Sequence, residues 1–163
     1  MNWEAIGVVT EIIGTLVVII TLIYLAVQVK QGNKQSELES LRHTLDGFNQ
    51  YCDLIVSSKQ TANLLNRGRL NIDNLDEDEL MQFEHLHIRF LNTLEGWYRS
   101  VQETARDKDY RMIQEQNIKE AIHAWLNFSG SRAVWHKFEA AFPLITDITN
   151  QTLGELDASN ATQ

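Results

Sequence analysis

The sequence predicts an all-α protein, in which an N-terminal transmembrane helix is followed by a small cytoplasmic helical bundle. Three observations support this fold class. An uncharged apolar stretch covers the 18 residues from Ile12 to Val29. The 163 residues include one Pro and 8 Gly, so few positions are expected to break a helix. After the apolar stretch, apolar residues recur at spacings of three and four, which is typical of amphipathic helices.

The apolar stretch is long enough to cross a bilayer. As a helix, its 18 residues extend about 27 Å, which nearly matches a hydrocarbon core of roughly 30 Å. A cleaved signal peptide is one alternative, but residues 1–4 lack a basic side chain and the stretch ends in Gln28, Val29 and Lys30. A buried core helix is another, and the ~130 remaining residues provide little chain to surround it. We therefore expect a single-pass membrane protein.

The charges that flank this stretch predict its orientation. Lys30 and Lys34 follow it, and no Lys or Arg precedes it. Because basic residues are enriched on the cytoplasmic side of membrane helices, the N-terminus is expected outside and the bulk of the chain in the cytoplasm. Trp3 is expected at the outer headgroup level, where aromatic residues collect. The single Cys, Cys52, agrees with a reducing compartment.

Small residues form one stripe on the predicted membrane helix. Gly7, Gly14 and Thr21 recur every seven residues, and Glu11 lies on the same face. Such a stripe lets a neighbouring helix approach closely, so we expect these four residues at a homo-oligomer interface. The alternative is that Gly and Thr are simply common in membrane helices. Glu11 lies either at this interface or at the outer headgroup boundary, since a carboxylate in mid-membrane costs about 3 kcal/mol.

The predicted domains are a tail and transmembrane helix over 1–31, a helical bundle over 32–153 and a disordered tail over 154–163. Gly32 and Asn33 form a predicted hinge. The helix that follows carries a heptad seam of apolar residues, namely Leu38, Leu41, Leu45, Phe48, Cys52 and Ile55. The seam is short for a free-standing coiled coil, so packing within the chain is favoured over packing between chains.

Further helices are predicted along the bundle. The strongest begins at Asp76, an N-cap with Glu79 three residues later, and runs almost to Arg106. Gly130 is predicted to stop one helix and Ser131 to cap the next. The other predicted helices cover about 59–67, 109–128, 132–142 and 144–156.

His87 lies within the apolar stripe of the strongest helix, and we expect a hydrogen-bonded core residue rather than a ligand. Glu84 and His87, like Glu120 and His123, have the i, i+3 spacing that di-iron bundles use twice. The second pair lies opposite the apolar face of its helix, so the ligands of such a site would not converge. No metal and no cofactor are therefore expected.

Composition and missing motifs exclude several functions. The net charge of −8 and the pI near 5.0 argue against a nucleic-acid-binding surface. The sequence contains no phosphate-binding glycine loop, nucleophile elbow or zinc-protease motif. We therefore do not expect an enzyme.

Three stretches resemble a widespread family of small bacterial single-span membrane proteins. They are AIGVVTEIIGTLVVIITLIYLAVQVKQ, FLNTLEGWYRS and GSRAVWHKFEAAFP. The resemblance implies the same fold, the same topology and the bacterial inner membrane, and it brings no activity with it. This chain has fewer basic residues after the span than is typical of the family. The matching residues are Gly7, Glu11, Gly14, Tyr24, Leu25, Ala26, Gln28, Glu95, Gly130, Arg132 and Trp135.

Two functions follow as hypotheses. The first is a membrane-anchored interaction or scaffold protein, which self-associates through its transmembrane helix and presents its acidic domain to an unidentified protein partner. The second is a homo-oligomeric ion-conducting pore with Glu11 near its outer mouth. Both place the chain in a lipid bilayer.

Overall fold

The computed structural model describes the backbone of residues 3–160 and the side chains of residues 11–159. All regular elements in this part of the chain are helical, which confirms the all-α prediction. The chain divides between Glu39 and Ser40 into two compact units. The elements are α1 (Trp3–Val56), α2 (Lys59–Leu70), a 3-10 turn (Ile72–Asn74), α3 (Glu77–Thr104), α4 (Lys108–Leu126), α5 (Ser129–Phe138), a second 3-10 turn (Glu139–Ala141) and α6 (Thr146–Asn160).

Helix α1 contains the predicted apolar stretch. From Glu11 onwards it is long and apolar enough to cross a membrane. None of the most apolar 18-residue window is buried by the described chain. Large apolar side chains between Ile12 and Val29 are instead about half exposed, from 48% at Leu25 to 60% at Leu22. The sequence therefore predicted correctly a helix of membrane-spanning length and composition.

The predicted hinge at Gly32 and Asn33 is wrong, because α1 continues through both residues. None of the described glycines adopts a positive φ angle. A single Gly costs a helix about 1 kcal/mol relative to Ala, and the neighbouring Gln31, Lys34 and Gln35 are good helix formers. The surrounding residues therefore keep the helix intact.

In the second unit, the end of α1 packs on α3 through small residues. The hydroxyl groups of Ser40 and Ser100 are hydrogen-bonded to each other. A Cβ atom on Gly47 would lie 2.8 Å from Cγ2 of Thr93, so a larger residue would force the Thr93 side chain to move. Thr44 is buried on the same face. Small side chains therefore set the face that α1 turns towards α3.

This contact makes the predicted apolar seam only partly correct. Phe48 packs on α3, with its ring centroid 5.8 Å from that of Phe90 and 5.7 Å from that of Trp97. Leu45, however, remains 51% exposed, and Cys52 is exposed as well. The heptad seam lies to one side of the face with Ser40, Thr44 and Gly47, so part of its apolar surface is not covered within the described chain.

Helix α3 is the centre of the bundle, where it packs against α2, α4 and α5, and α4 packs against α6. The predicted capping box is present, because the side chain of Asp76 accepts the N–H of Glu79 at 2.9 Å and Glu79 accepts that of Asp76 at 3.3 Å. Arg67 of α2 pairs with the same Glu79. The predicted apolar stripe forms the core, with Phe83, His87, Phe90, Leu94 and Val101 buried.

The predicted roles of Gly130 and Ser131 are wrong. Helix α5 begins at Ser129, so both residues lie in its first turn, and Phe128 is the N-cap residue without a side-chain hydrogen bond. A Cβ atom on Gly130 would lie 1.9 Å from the carbonyl oxygen of Gly68. Gly130 therefore allows α2 and α5 to approach closely, and it does not end a helix.

The predicted disordered tail from residue 154 is also wrong over its described part. Helix α6 continues to Asn160, and Leu156 is 3% exposed. Asp157 forms an ion pair with Arg132, with 2.7 Å between Oδ1 and Nη1. Burial of Leu156 against the core holds this end of the chain in a helix. Residues 161–163 lie outside the described part.

Replacing Gly130 by Ala should destabilise the protein by about 3 kcal/mol, because the added methyl group would overlap the backbone of Gly68. The control is Gly154→Ala, since a Cβ atom there has no neighbour within 4 Å. It should stabilise α6 by about 0.5–1 kcal/mol. Denaturation followed by circular dichroism measures both changes. Equal stabilities of the two variants would contradict the contact.

Candidate functional site

The predicted membrane interface is exposed along α1. Gly7 lies outside the residues whose side chains are described, whereas Glu11, Gly14 and Thr21 are exposed. A Cβ atom on Gly14 would have no neighbour within 4 Å. The hydroxyl of Thr21 donates to the carbonyl of Val17 at 2.8 Å, so its hydrogen bond is made within the helix. The assignment of these residues to an interface between copies stays a prediction.

The two Glu-x-x-His pairs form other contacts. Glu84 accepts a hydrogen bond from Lys137 at 2.6 Å. Glu120 accepts one from Gln116 at 2.7 Å, and His123 is exposed. Among residues 11–159, no three His, Cys, Asp or Glu side chains are grouped closely enough to hold a metal ion. Neither pair therefore contributes to a recognisable metal site in this range.

His87 lies in the interior of the bundle with 0% exposure. Its Nδ1 is 2.8 Å from the carbonyl oxygen of Phe83, and its Nε2 is 3.1 Å from the hydroxyl of Ser131. Since the carbonyl can only accept, Nδ1 carries the proton and Nε2 accepts the Ser131 hydroxyl. The sequence could not predict Ser131 as the partner, because 44 residues separate the two and only the packing of α5 on α3 brings them together.

Burial lowers the pKa of His87 to about 4, and the hydrogen bond to Phe83 opposes this decrease only in part. The imidazole is therefore neutral at neutral pH. A Ser and a His within hydrogen-bond distance also occur in nucleophilic enzymes. Here Ser131 is only 1% exposed, and so weakly basic an imidazole is a poor proton acceptor at pH 7. We interpret the pair as a hydrogen bond of the core.

A pocket of about 310 Å³ lies beside this pair, and we call it the Arg69 pocket. Its walls combine aromatic and small apolar side chains with Arg69 and Ser131, and they come from α1 to α5. Burial raises the pKa of Tyr51 in this wall to about 12, so the phenol keeps its proton at neutral pH. Its lining residues include Tyr51, Arg69, His87, Trp125, Phe128 and Ser131.

Two hydrogen-bond donors at the Arg69 pocket have no acceptor. They are Nε of Arg69 and Nε1 of Trp125, both of which are buried without a partner. The guanidinium carbon of Arg69 lies 4.5 Å from the ring centroid of Phe128. A buried donor without a partner costs about 1–3 kcal/mol, so two in one pocket are unusual. Neither residue belongs to a motif, so this pocket could not be predicted from the sequence.

Three of the residues that match the family, Glu95, Arg132 and Trp135, form hydrogen bonds between different parts of the bundle. The carboxylate of Glu95 accepts the backbone N–H of Leu144 at 3.3 Å. Nε of Arg132 donates to the carbonyl of Leu126 at 2.6 Å, and Nε1 of Trp135 donates to Asn150 at 2.8 Å. These hydrogen bonds, and the close contact of Gly130 with Gly68, give each of the four residues a structural role.

The stability of the protein should fall as the pH decreases from about 6.5 to 4, in part because of His87. Its folded pKa is about 4 and its unfolded pKa is about 6.5, so the unfolded chain binds more protons in this range. The neutral imidazole of His87 therefore contributes about 3 kcal/mol to the free energy of unfolding above pH ~6.5, and this contribution is lost as the pH falls towards 4.

Denaturation curves at several pH values check this expectation. His87→Gln should reduce the pH dependence of the unfolding free energy in this range, whereas His85→Gln, at an exposed position two residues away, should leave it unchanged. If His87→Gln kept the pH dependence of the wild type, the loss of stability could not come from protonation of His87.

No protein-family model, curated protein or solved structure matches the chain. The resemblance to single-span bacterial proteins therefore stays a prediction.

Proposed function

We propose that this chain is a membrane-anchored interaction protein, which is tethered and self-associates through α1 and presents its helical domain to a protein partner. The observation that carries the proposal is the apolar surface between Ile12 and Val29, which no described part of the chain covers. A contiguous apolar surface of this size is rare on soluble monomers. A lipid bilayer would cover it along the whole length of the span.

The proposed topology places the N-terminus outside and the helical domain in the cytoplasm. Lys30 and Lys34 support this orientation, because they directly follow the span and basic residues are enriched on the cytoplasmic side of membrane helices. The resemblance to bacterial single-span proteins supports the inner membrane as the location.

Self-association is supported by the face of α1 that carries Gly14 and Thr21. Gly14 has open space around it, and Thr21 keeps its hydroxyl on its own helix. A second helix would therefore meet a shallow surface without breaking a hydrogen bond. Seven-residue spacing extends this face to Gly7 in the sequence.

The anchor is favoured over the pore by the hydrogen bonds of the span. The hydroxyl of Thr15 donates to the carbonyl of Glu11 at 2.9 Å. Nε2 of Gln28 donates to the phenol oxygen of Tyr24 at 2.6 Å. With Thr21 also bonded within the helix, these groups do not require water in a lumen, whereas a pore needs polar groups along its wall.

A partner surface is supported by apolar side chains that stay exposed on the helical domain. Leu45 on α1 is 51% exposed. On α4, the consecutive residues Met112 and Ile113 are 56% and 58% exposed. Because the chain carries a net charge of −8, a partner with basic side chains would be attracted to it and nucleic acid would be repelled.

Native mass spectrometry of the full chain in a mild detergent tests self-association. The wild type should form a closed oligomer, and Gly14→Leu combined with Thr21→Leu should convert it to monomers, because the larger side chains separate the helices. Val27→Phe is the matched control on another face of α1 and should preserve the oligomer. A monomeric wild type, or an oligomer unaffected by the double substitution, would contradict the proposed interface.

A further inference from the structure

We propose that the Arg69 pocket binds a small aromatic carboxylate, whose acidic group accepts hydrogen bonds from Arg69 and Trp125 and whose ring lies against the aromatic walls. This inference concerns the helical domain alone and does not depend on the proposed membrane function. Three properties of the pocket support it.

The first property is the kind of polar group that the pocket leaves unsatisfied. Nε of Arg69 and Nε1 of Trp125 are both donors, and both are buried without an acceptor. Trp125 is only 8% exposed, so bulk water does not readily replace the missing partner. Other indoles of the bundle are paired, since Trp97 donates to Gln114 at 3.1 Å and Trp135 donates to Asn150 at 2.8 Å. The missing partner is therefore a hydrogen-bond acceptor.

The second property is the charge of the pocket. Arg69 takes part in none of the ion pairs among the described side chains. The contact of its guanidinium group with the ring of Phe128 leaves the charge uncompensated. Arg67, two residues earlier, is by contrast paired with Glu79. An anionic acceptor would compensate Arg69, and a carboxylate matches the planar guanidinium group.

The third property is the size and lining of the pocket. At about 310 Å³ it lies at the lower limit of small-molecule sites, so it suits a ligand of one or two rings. Phe128 and Trp125 both line the pocket and would place aromatic surface against the ring of such a ligand. Tyr51 keeps its proton, because burial raises its pKa, and so it does not repel an anion.

Phenylacetate and indole-3-acetate are suitable probes, with phenylacetamide as the neutral analogue. Binding is measured for the full chain in lipid nanodiscs with ¹⁵N-labelled tryptophan, and empty nanodiscs correct for partitioning into lipid. The indole N–H signal of Trp125, assigned with Trp125→Phe, should shift in a saturable way with at least one acid. The signals of Trp97 and Trp135 should move little, because their donors are already paired.

Arg69→Gln should weaken binding of the acid by about tenfold or more, since it removes a charged hydrogen bond. Arg99→Gln makes the same change of charge at an exposed position outside the pocket and should leave binding unchanged. Phenylacetamide should bind the wild type about tenfold more weakly than phenylacetate, a comparison that requires no variant to fold. Equal binding of acid and amide, or no saturable shift with either acid, would overturn the proposal.

Discussion

The apolar surface of α1 between Ile12 and Val29, which no described part of the chain covers, is the physical basis of the proposed membrane anchor. A helix can satisfy its own backbone polar groups, so such a surface is compatible with a hydrocarbon core and costly in water. The side chains of Thr15 and Thr21 follow the same rule, because each donates to a carbonyl of its own helix. These hydroxyl groups therefore need no partner outside their own helix, which agrees with the proposed membrane anchor.

The helical domain is organised by close contacts between small residues as much as by its aromatic core. Gly47 allows α1 to approach Thr93, and Gly130 allows α5 to approach Gly68. These approaches bring buried polar groups within reach of each other across the bundle. Four described side chains nevertheless keep a buried polar atom without a partner, and two of them, Arg69 and Trp125, line the same pocket.

Much of the fold could be predicted from local patterns in the sequence. The uncharged stretch predicted the apolar helix. The capping box at Asp76 and the apolar stripe that follows it predicted α3. The errors occurred where distant contacts decide the outcome. Gly130 resembles a helix stop until Gly68 is seen beside it, and the polar residues after 153 resemble a loose tail until Leu156 is seen to be buried. The Arg69 pocket was missed for the same reason, because its walls come from five helices.

The most direct test of the membrane anchor is the labelling of single cysteines in sealed membrane vesicles. With Cys52 replaced by Ser, cysteines are introduced by Ile20→Cys in the span and by Asn49→Cys at an exposed position of the same helix. An impermeant maleimide should leave position 20 unlabelled in vesicles of either orientation and should label position 49 only from the cytoplasmic side. Rapid labelling at position 20 would show that water reaches the span, and the anchor would then be wrong.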